Sequence, residues 1–361
     1  MAHTERRGST VLPIRYDDIT AVAYDTENFS SRDVGTIPPP SGTSTLLAPP
    51  ITSDPPFHTE ARRLLLPHFS PAATEKVEPH TAAICTSLVD GLAGAAAEGT
   101  VIDAAEAYAQ HIPVRVIAHL LGIPGSDVPT FLDWAIRIFQ SGDNEVIRVA
   151  TKEILAYFGD QVAMRRQERS DDLISSLLDA DMDGSPLTDK HIQGTCFLLL
   201  MAGIDTTWSS IGAALAHLAV NHQDRDRLVA EPELIPTAVE ELLRAYAPVT
   251  MARIATEDTE IAGCPVHAGD RVLLPFPAGN RDPERFDQPD EVIIDRERNR
   301  HFAFGIGIHR CLGSNLARME MRVAIETWLQ RFPTFHLAPG AEVRWGGTQV
   351  RGPRELPILL G

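Results

Sequence analysis

Residues 192–220 read IQGTCFLLLMAGIDTTWSSIGAALAHLAV, a nearly unbroken series of apolar and small side chains. A helix that is apolar on every side must be surrounded by protein or by lipid. The continuous apolar run inside it, 196–204, is far shorter than the ~20 residues a membrane span needs. The sequence therefore predicts one long helix crossing the core of a large globular domain, with Thr188 as its N-cap. Every other element has to be arranged around it.

That helix carries a chemical anomaly. The segment AGIDTT, 202–207, puts an Asp and two Thr in apolar surroundings, where polar side chains are costly unless they are satisfied or used. One reading is an intrahelical bond from Thr to a carbonyl, with Asp205 reaching a surface cation. The other is a site that handles protons.

A second stretch, FAFGIGIHRCLG at 302–313, concentrates glycines, a histidine and Cys311 just before a helical pattern of Leu312, Leu316, Met319 and Val323. At a helix N-terminus the unpaired N–H groups and the macrodipole favour an anionic sulfur, so a lowered thiol pKa is expected at Cys311. Gly305 and Gly307 allow dihedrals closed to other residues, and Gly313 lets backbone approach a flat ligand. A structural cysteine at a tight strand-to-helix turn is the plain alternative. Zinc is a weaker rival, because His309 and Cys311 have no C-x-x-C or H-x-x-H partner pair to complete four ligands.

The pattern Phe304, Gly305, Gly307, His309, Cys311, Gly313 resembles the haem-binding loop of the cytochrome P450 family. The resemblance implies a mainly α fold with small β-sheets, a long central helix over the haem, and a single domain over 1–361. It makes Cys311 the ligand of the iron of haem b, with Ala303, Phe304, Gly305, Gly313 and Ala317 against the macrocycle. AGIDTT is similar to the family's central helix: Ala202 and Gly203 leave room at the iron, while Asp205 and Thr206 form an acid–alcohol pair. Splitting O₂ requires two protons at its distal oxygen, so a hydroxyl and an acid are both needed, and a thiolate opposite them favours the same cleavage.

Further motifs carry the same likeness. In FHTEARRLL, His58 and Arg62 lie four apart on one helix face, which by itself reads as a solvated cationic stripe. By resemblance they serve a haem propionate, and Arg253 and His309 the other. Glu241 and Arg244, an E-x-x-R pair, together with Arg285 of GNRDPERF, are implied to form a buried structural network. Leu198, Ala202, Val249, Met251 and Val350 are candidate pocket residues. For Leu198, Val249, Met251 and Val350, ordinary core packing is as good an account.

Between these motifs the chain reads as one helical scaffold. Residues 75–169 show helical patterning broken at Gly99, Pro113, Pro124, Pro129 and Gly142. The Pro-, Ser- and Thr-rich stretch 29–56 predicts a long irregular loop, by resemblance the one over the substrate pocket. DADMDGSPLTD lacks the terminal glutamate of a calcium loop and reads as a solvated turn. Family members usually have additional N-terminal residues, so either an abbreviated outer wall or an internal start of the sequence is expected.

A net charge of −17 opposes generic nucleic-acid binding and adhesion to anionic membranes. Four irregularly spaced cysteines fit a reducing cytoplasm. The N-terminus lacks the apolar core of a secretory signal, so a cytoplasmic monomer without a membrane anchor is expected. The wording around PPITSDPPFH and AGIDTTWSS is similar to haem domains of self-sufficient bacterial members, here without their fused reductase. The resemblance thus implies NAD(P)H-derived electrons delivered by a separate ferredoxin and ferredoxin reductase. Arg62, Arg63, Arg310, Arg318 and Arg322 are the expected docking patch. It implies oxygen insertion into a small organic substrate, by hydroxylation or O-dealkylation, with aromatics or aryl ethers as the suggested class. Rivals are a peroxygenase driven by hydrogen peroxide on the same fold and a non-catalytic haem-binding sensor.

Overall fold

The central helix runs from Asp189 to Val220 in a computed structural model that describes residues 2–4, 9–37, 46–347 and 349–361. Thr188 caps it, its side chain accepting the His191 N–H at 3.2 Å. By length and composition alone this helix would pass as a membrane span, yet most of it is buried inside the protein, as expected of a helix crossing the core. Its apolar surface is consumed by helices His111–Leu120, Asn144–Gln167 and Ser314–Arg331 and by the strand Arg351–Glu355.

Small residues allow the closest of these approaches. A Cβ at Gly352 would lie 2.3 Å from the Ser209 side chain, and one at Gly194 would lie 2.1 Å from the Leu47 carbonyl oxygen. The second contact seats the predicted long loop against the start of the central helix, where Thr195 also bonds the Pro49 carbonyl. Residues 38–45 of that loop lie outside the described residues.

The β structure is small and peripheral. A five-stranded sheet has the order Ala2–Thr4, Thr10–Leu12, Arg271–Pro275, Thr250–Ala255, Phe29–Ser30. Only the Arg271–Pro275/Thr10–Leu12 pairing is parallel. Its buried side, with Val11, Ile19, Val272, Phe276 and Phe302, forms a second apolar cluster beside the main helical core. A three-stranded sheet and a hairpin of Arg344–Gly347 with Arg351–Glu355 complete the C-terminal part.

The predicted breaks hold with one exception. Gly99 ends a helix at φ +61, Gly142 sits at φ +67, and Pro129 opens the helix Val128–Gln140. Pro113 instead lies within His111–Leu120, which follows directly on a π-helical turn, Ala105–Ala109, so it does not break the chain's helical course. The acidic stretch DADMDG is a tight hairpin turn with Asp183 and Gly184 at positive φ.

Candidate active site

The cysteine loop is fastened before it reaches Cys311. Phe302 is buried and stacks on Tyr16 at 3.8 Å, and its N–H donates to Asn280 at 2.6 Å. Gly307, at φ +71, also has to be glycine for space, since a Cβ would come 2.5 Å from the Ala23 carbonyl oxygen. The Cys311 N–H donates to the Phe304 carbonyl at 2.7 Å, folding the loop back on itself. Gly313 is not demanded by backbone strain: its φ is −83°, and a Cβ there would meet only Phe69, at 3.9 Å.

The expected direction of the Cys311 pKa is corrected. Burial pushes the thiol up, and the Gly313 N–H, Arg62, Arg310 and Arg318 only partly oppose it. The helix begins at Ser314, three residues on, so its end is too remote to outweigh desolvation. Coordination by a metal ion deprotonates such a thiol outright.

Around this loop lies a group of basic side chains. His58 and His309 place their rings 4.3 Å apart. Both ring nitrogens of His58 and Nε2 of His309 are buried with no hydrogen-bond partner. Arg253 is buried and donates to the Ala252 carbonyl at 2.8 Å; Arg62 donates to the Arg310 carbonyl at 2.6 Å. Among the described residues no carboxylate hydrogen-bonds to any of these four side chains. Burial lowers Arg253 to about 10, and burial together with Arg253, His58 and Arg62 lowers His309 to about 2. Orphaned buried donors of this kind are expensive, and an anionic ligand would relieve them. Two propionate carboxylates fit that requirement.

One face of the central helix is less covered than the rest. Leu198, Ala202 and Thr206, spaced by four, are not fully buried, whereas Ile204, Asp205 and the residues from Thr207 to Ala219 are. The Thr206 hydroxyl donates to the Ala202 carbonyl at 2.7 Å. Asp205 turns the other way, into a two-pronged ion pair with Arg354 of the C-terminal hairpin; both side chains are buried, and Arg354 lies over the Trp208 ring. The cation is thus internal rather than at the surface. Burial raises the Asp205 pKa and Arg354 opposes the rise. Val249 and Val350 meet in an isolated β-bridge, and Val249, Met251 and Val350 are each half-buried.

Comparison with known proteins accounts for this combination. A family model described as Cytochrome P450 matches residues 116–344. Mycinamicin IV hydroxylase/epoxidase of Micromonospora griseorubida is 35% identical over 96% of this chain and 89% of its own. The chain belongs to the cytochrome P450 family. Nocardicin C N-oxygenase of Nocardia uniformis subsp. tsuyamanensis is 36% identical, covering 96% and 88% of the two chains. The crystal structure of CYP101J2 superposes with a TM-score of 0.90 at 28% identity over 99% and 89%. That of HmtN, a post-tailoring hydroxylase of himastatin biosynthesis, gives 0.88 at 32% over 100% and 93%. The protein is a P450 monooxygenase of the bacterial type, and membership implies haem.

One expectation for this P450 needs correction. Arg285 is not in the buried network: it is surface-exposed and pairs with Asp17. The next residue, Phe286, turns inward beneath Arg244, which sends Arg285 outward. The network consists of Glu241 with Arg244 at 2.8 Å, Arg296 at 3.0 Å and Asn299 at 3.0 Å; Arg244 also donates to the carbonyls of Asn280, Pro289 and Glu291.

In the expected docking patch, three of the five arginines have acidic partners. Arg63 pairs with Glu60, Arg318 with Glu240, and Arg322 with Glu78 and Glu326. Arg296, Glu240 and Arg354 were not legible as site residues. Glu240 carries a signal only through its neighbour Glu241, and nothing local links Arg354 to an acid 149 positions away.

Proposed function

We propose that this P450 inserts one oxygen atom of O₂ into a small, largely apolar organic molecule, with electrons from an external ferredoxin-type partner that draws on NAD(P)H. The observation that carries the reading is the combination of a half-buried Cys311, in a loop accompanied by buried basic side chains with no carboxylate partner, and a central helix bearing Thr206 beside a charge-paired Asp205. Cys311 would bind the iron of haem b; His58, Arg62, Arg253 and His309 would bind the propionates; Ala202, Gly203, Ala303, Phe304, Gly305, Gly313 and Ala317 would lie against the macrocycle. Bound haem supplies the activation of O₂ and the oxygen transfer. Thr206 would donate a hydrogen bond into the proposed pocket, which requires its hydroxyl to swing off the Ala202 carbonyl. Asp205 would pass protons inward once it loosens from Arg354.

The half-buried Leu198, Val249, Met251 and Val350, with Ala202, give the proposed pocket an apolar lining. Relatives named mycinamicin IV hydroxylase/epoxidase and, in Pseudonocardia autotrophica, vitamin D(3) 25-hydroxylase favour hydroxylation over O-dealkylation of an aryl ether. The chain reads as one haem domain, because the cysteine loop joins both apolar clusters: Phe302 belongs to one and Phe304 packs against the other.

The peroxygenase reading is weaker, since such an enzyme has no need of the acid–alcohol pair. Turnover is compared with hydrogen peroxide alone and with O₂ plus a ferredoxin, its reductase and NAD(P)H. The proposal requires the second to be the faster route; faster peroxide-driven turnover would overturn it.

A further inference from the structure

Glu240, next to the network acid Glu241, holds the cysteine loop at both ends. Its Oε1 accepts from Arg318 Nε at 2.6 Å and its Oε2 from Arg318 Nη2 at 2.9 Å. The same Oε2 lies 3.1 Å from Nε2 of His301, which stands just before the loop, and Nδ1 of that ring accepts the Ala303 N–H at 3.2 Å. Arg318, in the helix that follows the loop, places its guanidinium 4.4 Å over the ring of Phe304. Phe304 in turn provides the carbonyl that accepts the Cys311 N–H. An unbroken series of contacts therefore runs from Glu240 through Arg318 and Phe304 to the backbone of Cys311.

Arg318 places a positive charge against Phe304 in the loop that carries Cys311, and Glu240 fixes that charge while offsetting it. A cation near a thiolate-bound iron favours the more negative, reduced state; a neighbouring carboxylate favours the oxidised one. We infer that Glu240 is a positioning residue for the cysteine loop and that, through Arg318 and Phe304, it sets the reduction potential of haem bound at Cys311. The inference rests on the proposed ligand role of Cys311. It also separates Arg318 from any simple docking role, because its guanidinium is already engaged on two sides.

A brace between helices would alter stability alone, whereas an electrostatic positioning role shifts the potential in opposite directions when the two partners are neutralised in turn. The test is spectroelectrochemical titration of the haem-loaded wild type, Glu240→Gln, Arg318→Gln and Arg318→Lys. Neutralising Glu240 raises the potential and neutralising Arg318 lowers it, each by about threefold or more in the ferrous-to-ferric ratio at fixed potential, where tenfold is ~59 mV for one electron. Arg318→Lys, which keeps the charge, stays closer to wild type than Arg318→Gln does. If Glu240→Gln fails to load haem, the two Arg318 variants decide on the same terms. Potentials unchanged, or shifted in the same direction by both neutralisations, overturn the inference. A wild-type carbon-monoxide complex with its red-shifted Soret band, alongside unmoved potentials, would leave the Cys311 ligation standing and remove only the role of Glu240. Absence of that band in wild type would remove both.

Discussion

The carboxylate of Asp205 is gripped by the guanidinium of Arg354, with Oδ2 3.1 Å from Nη2 and a second, shorter contact from Nη1 to Oδ1. The acid comes from the central helix and the cation from a strand of the C-terminal hairpin, so the pair fastens the last part of the chain to the helix that carries Thr206. Removing one member strands the other in the interior. Arg354→Gln is predicted to destabilise the fold by about 3–5 kcal/mol, read as a lower denaturant midpoint. A loss below about 1 kcal/mol would mean that the pair behaves like a surface contact.

Thr206 makes a separable prediction. Its hydroxyl bonds within the helix, on the less covered face. Thr206→Ala deletes one neutral hydrogen bond at little structural cost. The expected result is more hydrogen peroxide released per O₂ consumed and less product, measured by peroxide assay beside substrate turnover. Unchanged coupling would count against its role in proton handling.

The corrected network gives a paired comparison. Arg296 and Glu241 are both buried, whereas Arg285 and Asp17 are largely exposed. Arg296→Ala should cost about 3–5 kcal/mol, and Arg285→Ala should change stability by no more than about 0.5 kcal/mol. Thermal unfolding of the two variants checks the order, and equal losses would contradict the assignment.

Much of the fold and part of the site could be read directly because their signals are local. A cap at Thr188, an apolar helix and a glycine-rich turn before Cys311 are each written within a few residues. Arg354, Glu240 and Arg296 were missed because their roles are set by elements that meet only in the folded chain. Arg285 differs from expectation for a related reason: the motif places it correctly in sequence, but its direction depends on Phe286 taking the buried side of the turn. The thiol pKa failed on magnitude, since desolvation exceeds the effect of a helix that starts three residues later.

Glu320 yields a pH prediction. It is fully buried, its Oε2 has no partner, and burial pushes its carboxyl from 4.5 up to about 8. In that interval the unfolded chain is ionised at this position while the folded one retains its proton. The folded state thus binds more protons, and stability falls as pH rises from 4.5 toward 8, then levels off. Glu320→Gln removes this contribution, so the variant gains on wild type across the same interval by on the order of a few kcal/mol. Denaturant midpoints of both proteins at several pH values test it; a constant difference would refute it.

The central claim is that the sulfur of Cys311 is the ligand of a haem iron. The most direct measurement is the carbon-monoxide difference spectrum of the reduced, haem-loaded protein and of Cys311→His. The account predicts a strongly red-shifted Soret band in the wild type that is lost in the variant. A wild-type spectrum without that shift, or a variant that keeps it, would contradict it.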